Sequence, residues 1–128
     1  MSHATRIFGQ SAESEAERFL RRKGYRILER NVRSFYGELD LVVQSGDIVV
    51  FVEVKARRTP AFGGAPYAVD VKKRERLIRL AAHYLSRHGM RNQRCRFDVL
   101  LCRGGMGGTV AIEHIENAFE VPGEDLQW

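Results

Sequence analysis

A mixed α/β sheet flanked by helices, with elements in the order αβββαββ, is the fold class this chain predicts. Three observations lead to it. Two stretches carry apolar residues at helical spacing, and residues 38–56 read as two strands rich in Val, Leu, Ile and Phe around Ser45-Gly46-Asp47. The segment from 48 to 102 then runs strand–helix–strand, a crossover that makes its two strands parallel. At 128 residues the chain fits one domain. That domain is placed at residues 9–119, between a flexible N-terminal tail at 1–8 and an acidic C-terminal tail at 120–128.

The first helix is expected over residues 11–23. Ala12, Ala16, Phe19 and Leu20 make one stripe, and Gly24 supplies the stop. Its start has two readings: Ser11 as N-cap, or Ser14 paired with Glu17 in a capping box. Residues 25–33 alternate well enough for a strand, and residues 34–37 break it. Strands follow at 38–44 and 48–56. Two prolines and two glycines within 59–66 make a loop. Asp70 caps a helix over 71–87 with Leu77, Ile78, Ala81 and Leu85 as its apolar face, and Gly89 ends it. Strands at 94–102 and 109–115 flank a glycine-rich turn at 104–108.

Composition narrows the function. A hydrophobic fraction of 44% supports a packed core, which excludes disorder throughout. No run of about 18 apolar residues spans a membrane, and the N-terminus has no secretory h-region. Cys95 and Cys102 are seven positions apart, an odd step, so on one strand they face opposite ways and cannot bridge. A reduced, cytoplasmic protein is the expectation. The four histidines are scattered, with no nucleophile beside them to suggest a hydrolase triad. Charge is more informative. Residues 55–96 hold twelve Lys/Arg against Asp70 and Glu75, whereas the segments on either side are neutral or acidic. Such a basic segment suits a polyanionic partner, and it equally suits a solvated face.

Register locates the candidate chemistry. With Gly46-Asp47 as the hairpin loop, Asp40 lies across from Glu53 and Glu38 across from Lys55; a Ser45-Gly46 loop keeps all four on one face, while a three-residue loop breaks the phasing. Leu39, Leu41, Val43, Val50, Val52 and Val54 then line the other face as core. Opposed carboxylates repel at this spacing, and a hard divalent cation relieves that repulsion while keeping waters for a phosphate. Lys55 is placed to act on phosphate charge. The same residues also make up a solvent-facing ion-pair ladder, with Glu38 paired to Lys55.

Gly37-Glu38-Leu39-Asp40-Leu41-Val42 followed by Val50-Phe51-Val52-Glu53-Val54-Lys55 resembles the YraN-like family of bacterial proteins. Gly9, Ala12, Glu13 and Ala16, the run Gly24-Tyr25-Arg26-Ile27-Leu28, Ala68-Val69 and Arg96-Phe97-Asp98-Val99 fit it as well. That family is similar to the PD-(D/E)xK, restriction-endonuclease-like nucleases and to archaeal Holliday-junction resolvases. The resemblance implies an αβββαβ core and a catalytic set of Glu13, Asp40, Glu53 and Lys55. Asp40, Glu53 and Glu13 would hold Mg²⁺ or Mn²⁺, with the Val54 carbonyl beside them. Leu39 stands where the pattern's proline would be. On this reading the chain is a metal-dependent endonuclease with DNA, ahead of RNA, as its partner. A resolvase would further require two sites and hence a homodimer.

Contacts to the nucleic-acid backbone are expected from Arg57 and Arg58 after the catalytic strand, and from Lys72, Lys73, Arg74 and Arg76 on the second helix. Positive charge in that helix's first turn opposes the macrodipole, which favours a phosphate-facing role. Tyr36, Phe62 and Tyr67 are placed either for stacking on unpaired bases or for packing. Two rival classes stand beside the nuclease: a non-catalytic nucleic-acid-binding module, and an interaction protein whose basic face meets an acidic one.

Overall fold

The computed structural model describes residues 3–57, 70–90, 92–104 and 110–119; side chains of the first helix are described from Ala12 onward, and of Arg57 only the backbone. Arg58, the loop at 59–66 with Phe62, Tyr67, Ala68-Val69, residues 105–108 and the 120–128 tail lie outside the described residues. The elements are α1 (His3–Arg22), β1 (Arg26–Ser34), β2 (Gly37–Ser45), β3 (Ile48–Arg57), α2 (Val71–Arg87), β4 (Cys95–Gly104) and β5 (Val110–Ile115). The order is αβββαββ, as the sequence predicts.

One boundary differs by several residues. Helix α1 begins at His3, so residues 3–8 are helical and do not form the expected tail, and Ser11 and Ser14 both lie inside the helix. Gly9 disfavours a helix by only about 1 kcal/mol relative to alanine, and no proline interrupts residues 3–10. Glu17 therefore closes no capping box. Its carboxylate instead accepts from Arg30 of β1 at 2.7 and 3.0 Å.

The five strands form one sheet in the order β1-β2-β3-β4-β5. The β3–β4 pair is parallel, and the other three pairs are antiparallel. Both sheet faces are covered. On one, Ala12, Ala16 and Leu20 of α1 pack over Leu41, Val43, Val50, Val52, Leu100 and Cys102. On the other, Leu77, Leu80, Ala81, Tyr84 and Leu85 of α2 pack over Leu39, Val42, Val49, Phe51 and Phe97. Cys95 and Cys102 are free and belong to opposite faces. Burial pushes both thiols up to about 11, so neither is a ready nucleophile.

The α1 side of β4 carries one buried acid, Asp98, only 1% exposed. Arg96 donates to both its oxygens at 2.8 and 2.9 Å, the Asn117 backbone N–H donates at 3.0 Å, and His114 Nε2 lies 2.7 Å away. The carboxylate can only accept, so Nε2 carries a hydrogen. Lys23 Nζ, which can only donate, sits 2.8 Å from His114 Nδ1, so the arrangement fits a neutral imidazole. Arg96 also donates to the Tyr25 hydroxyl at 2.8 Å. One carboxylate thus ties together the end of α1, the start of β1, β4, β5 and the turn after it. Burial alone would raise the Asp98 pKa, but these donors hold it below the usual aspartate range.

Replacing Asp98 by alanine leaves the half-buried Arg96 guanidinium and two other donors without their acceptor, and should cost about 2–4 kcal/mol. Urea unfolding followed by circular dichroism should show the midpoint falling with little change in slope. A midpoint within error of wild type would remove the hub from its structural role.

Candidate active site at the parting of two strands

The β2–β3 ladder runs from Ser45↔Ile48 to Leu41↔Val52 and stops there. Its register is the one Gly46-Asp47 dictates, with Gly46 at φ +60° in the turn. Beyond Leu41 the two strands separate, β2 continuing with β1 and β3 with β4. The gap is bridged by a side chain: Asp40 Oδ2 accepts from the Val54 backbone N–H at 2.8 Å. Asp40 and Glu53 therefore do not face each other as a ladder pair. They stand just past the ladder's end, along the same pocket as Leu39, Phe51 and Phe97.

A second correction follows from the same feature. Alternation along β2 places Leu39 on the aliphatic face with Leu41 and Val43, but it packs with Val42 and Phe51 under α2. The strict alternation of a paired strand does not persist through Asp40, whose carboxylate turns toward β3. Val42 and Phe51, which the same alternation sets beside the carboxylates, are core residues beneath α2.

Charges gather at this point. Asp40 is half-buried, and its carboxyl is pushed up to about 6, first by burial and then by the negative charges of Glu53, Glu13 and Glu38, against the Val54 hydrogen bond. Glu13, carried on α1, is raised in turn by burial and by Glu38 and Glu17. The helix glutamate singled out in the sequence thus belongs to the cluster. Glu38 lies across from Arg33 in the β1–β2 ladder, and their charged groups are 3.7 Å apart.

Glu53 is compensated differently. Its Oε1 lies 3.8 Å from Lys55 Nζ and 2.5 Å from Lys73 Nζ. The sequence reading gives Lys73 a phosphate-facing role in the first turn of α2, and the fold sets its ammonium against Glu53. Asp70 caps α2 by accepting from the Lys73 backbone N–H at 2.8 Å, and the helix then directs the Lys73 side chain inward to a carboxylate. Lys72 and Arg76 remain exposed and Arg74 is half-buried. Arg57 ends β3. Sequence reasoning misses Lys73 as a member of the site, because no periodicity connects α2 to the end of β3. The basic first turn opposing the helix dipole is the available signal.

Among the described residues, no three His, Cys, Asp or Glu side chains form a ready-made metal cage, so Glu13, Asp40 and Glu53 do not close on a common point as they stand. The donor chemistry nevertheless fits a hard divalent cation. Mg²⁺ takes one or two carboxylates and completes its shell with water and phosphate, and Asp40 lies in an excess of negative charge that a cation would relieve.

The model of the uncharacterised protein family UPF0102 matches residues 12–102. A UPF0102 protein of Symbiobacterium thermophilum is 45% identical over 115 residues, covering 90% of this chain and 98% of the relative. Another from Pelotomaculum thermopropionicum is 44% identical over 120 residues, covering 93% and 100%. Among solved structures, SfsA of Pyrococcus furiosus in complex with Ca²⁺ aligns with a TM-score of 0.43 at 19% identity, covering 91% of this chain and 65% of that one.

Asp40 should leave a signature in stability. Its folded pKa of about 6 lies above the ordinary 3.8, so the folded state holds the proton more tightly. The penalty is absent below the unfolded value, grows as pH rises between the two and levels off above the folded one. Asp40→Asn keeps an oxygen for the Val54 N–H and removes the charge. In chelator, the variant should be more stable than wild type at about pH 8, by up to about 3 kcal/mol, with the difference vanishing near pH 4. Paired melts across that range test this, and a constant difference would contradict it.

Proposed function

Because the chain belongs to the uncharacterised protein family UPF0102, whose model spans Glu13, Asp40, Glu53 and Lys55, we propose that it is a divalent-metal-dependent endonuclease acting on DNA. The observation that carries this reading is the meeting of Asp40, Glu53 and Lys55 where β2 and β3 part, with Glu13 brought in by α1. Asp40 and Glu53 would hold Mg²⁺ or Mn²⁺, with Glu13 adding negative charge behind them. When bound, the cation supplies charge neutralisation at the scissile phosphate and makes a neighbouring water more acidic.

The chain's own groups have separable tasks. The Val54 N–H fixes one oxygen of Asp40, which leaves the other to face the site. Lys55 presents an ammonium to the phosphate as negative charge builds there. Lys73 neutralises Glu53 while no cation is bound and so competes with the cation for that carboxylate. Lys72, Arg74 and Arg76 on α2, with Arg57 at the end of β3 and Arg58 next in sequence, would hold the phosphate backbone. Among the described residues no helix is long and apolar enough to cross a membrane.

Cleavage of labelled linear and branched DNA should require Mg²⁺ or Mn²⁺ and disappear in Asp40→Asn and Glu53→Gln. Lys55→Ala should lower the rate by about 10²–10³ with cation affinity nearly unchanged. A folded wild type that binds DNA but cuts none of these substrates would favour the non-catalytic binding module.

Two binding measurements accompany it. Calorimetry with Mn²⁺ should show tighter binding to Lys73→Met than to wild type, and weaker binding would overturn the competition. Neutralising Lys72 and Arg74 together should weaken DNA binding for all sequences alike and flatten the salt slope by roughly one for each phosphate left without its cation. An unchanged slope would return α2 to the role of a solvated face.

A further inference from the structure

The tip of the β1–β2 hairpin is the most conspicuous surface that the catalytic reading leaves unused. Ser34 pairs with Gly37, so the turn is only Phe35-Tyr36. Neither residue has a positive φ, and Gly37, at φ +134°, takes the unusual backbone conformation in their place. Phe35 is 97% exposed and Tyr36 46%. Their rings meet edge to face at 5.6 Å. Tyr36 is steadied from one side, with the Arg79 guanidinium 5.9 Å from its ring, and its backbone N–H donates to Ser34 Oγ at 3.2 Å. Arg76 and Leu80 of α2 lie against Gly37 at the neck. A short turn braced by α2 thus holds one phenyl ring out in solvent, at the conformational cost of only two side-chain torsions.

The surroundings indicate what that ring meets. Arg33, Arg76 and Arg79 rim the tip, and the nearby acid, Glu38, lies 3.7 Å from Arg33. An aromatic face among arginines complements a stacked base with its phosphates, whereas an apolar protein groove or lipid tails would leave those charges desolvated. The tip also lies near the site along β2. Tyr36 is four residues before Asp40, about 13 Å at the strand rise. That is roughly four nucleotide steps along a stacked DNA strand.

We propose that Phe35, supported by Tyr36, is a stacking post for an unpaired DNA base, and that it directs the chain to DNA with locally unpaired bases. The inference rests on the nuclease reading for its purpose, but not for its physics. Stacking needs neither a cation nor cleavage.

The test uses the full chain in chelator with two probes: a duplex carrying one unpaired aminopurine, and its fully paired counterpart. The unpaired probe should bind more tightly, and its fluorescence should be quenched on binding. Phe35→Ala should lose about 5- to 150-fold in affinity for that probe, the usual range for one base–aromatic stack, with no change for the paired duplex. Phe35→Trp should restore the preference. With Phe35 almost wholly exposed, both variants should fold, and melting curves verify it. Equal affinity of wild type and Phe35→Ala for the unpaired probe, or an unquenched probe, overturns the proposal. Cleavage assays with Mg²⁺ run alongside separate the two ideas. Cleavage without any Phe35 effect sinks the stacking post alone, whereas quenching that depends on Phe35 without cleavage sinks the catalytic reading alone.

Discussion

The hydrogen bond from the Val54 N–H to Asp40 Oδ2 is the contact on which the arrangement of the site depends. Two strands that pair along their length leave no room between them for chemistry. Here the pairing ends at Leu41↔Val52, and a carboxylate takes the acceptor position that a main-chain carbonyl would otherwise fill. A buried N–H left without a partner is costly, so this substitution allows β2 and β3 to diverge without an orphaned donor. It also draws a charged group into a half-buried position, which raises its pKa and creates a need for positive charge.

Much of the remaining structure brings further charges to this point or positions them. Helix α2 brings Lys73 to Glu53, and β3 brings Lys55 to the same oxygen. Helix α1, packed across the opposite face through Ala12, Ala16 and Leu20, delivers Glu13 toward Asp40. The alanines matter here because small side chains let the helix lie close to the sheet. The Asp98 hub anchors β4 and β5 to the ends of α1 and β1, so the parallel partner of β3 is held from the far side. Cluster and hub are two acids with opposite electrostatics. Asp98 is surrounded by donors and its pKa is held low, while Asp40 is surrounded by acids and its pKa is pushed high.

The charge pattern along the chain acquires a division of labour in the fold. Of the basic side chains in the first turns of α2, Lys73 turns inward to a carboxylate, while Lys72 and Arg76 stay in solvent. Arg79, one turn further along, supports the aromatic hairpin tip. One helix therefore serves the core, the carboxylate cluster and the outer surface, each through a different stripe of its circumference.

Local rules determined the element types, the Gly46-Asp47 turn, the Asp70 cap, the parallel β3–β4 pair and the company of Asp40, Glu53 and Lys55, because each depends on residues near in sequence or on a motif with fixed spacing; Glu13 was singled out only by the family resemblance. The start of α1 escapes those rules, because serines that look like caps hold no N-terminus when the residues before them can continue the helix. Alternation along β2 puts Leu39 on the wrong face, because period two is interrupted at Asp40, where β2 parts from β3 and the carboxylate turns toward Val54. The inward turn of Lys73, the neutralisation of Glu53 by two lysines and the joining of Asp98 to His114 and Lys23 were decided by tertiary structure alone. Those contacts join residues far apart along the chain, and their energies come from burial and from charges meeting across elements, which no one-dimensional pattern records.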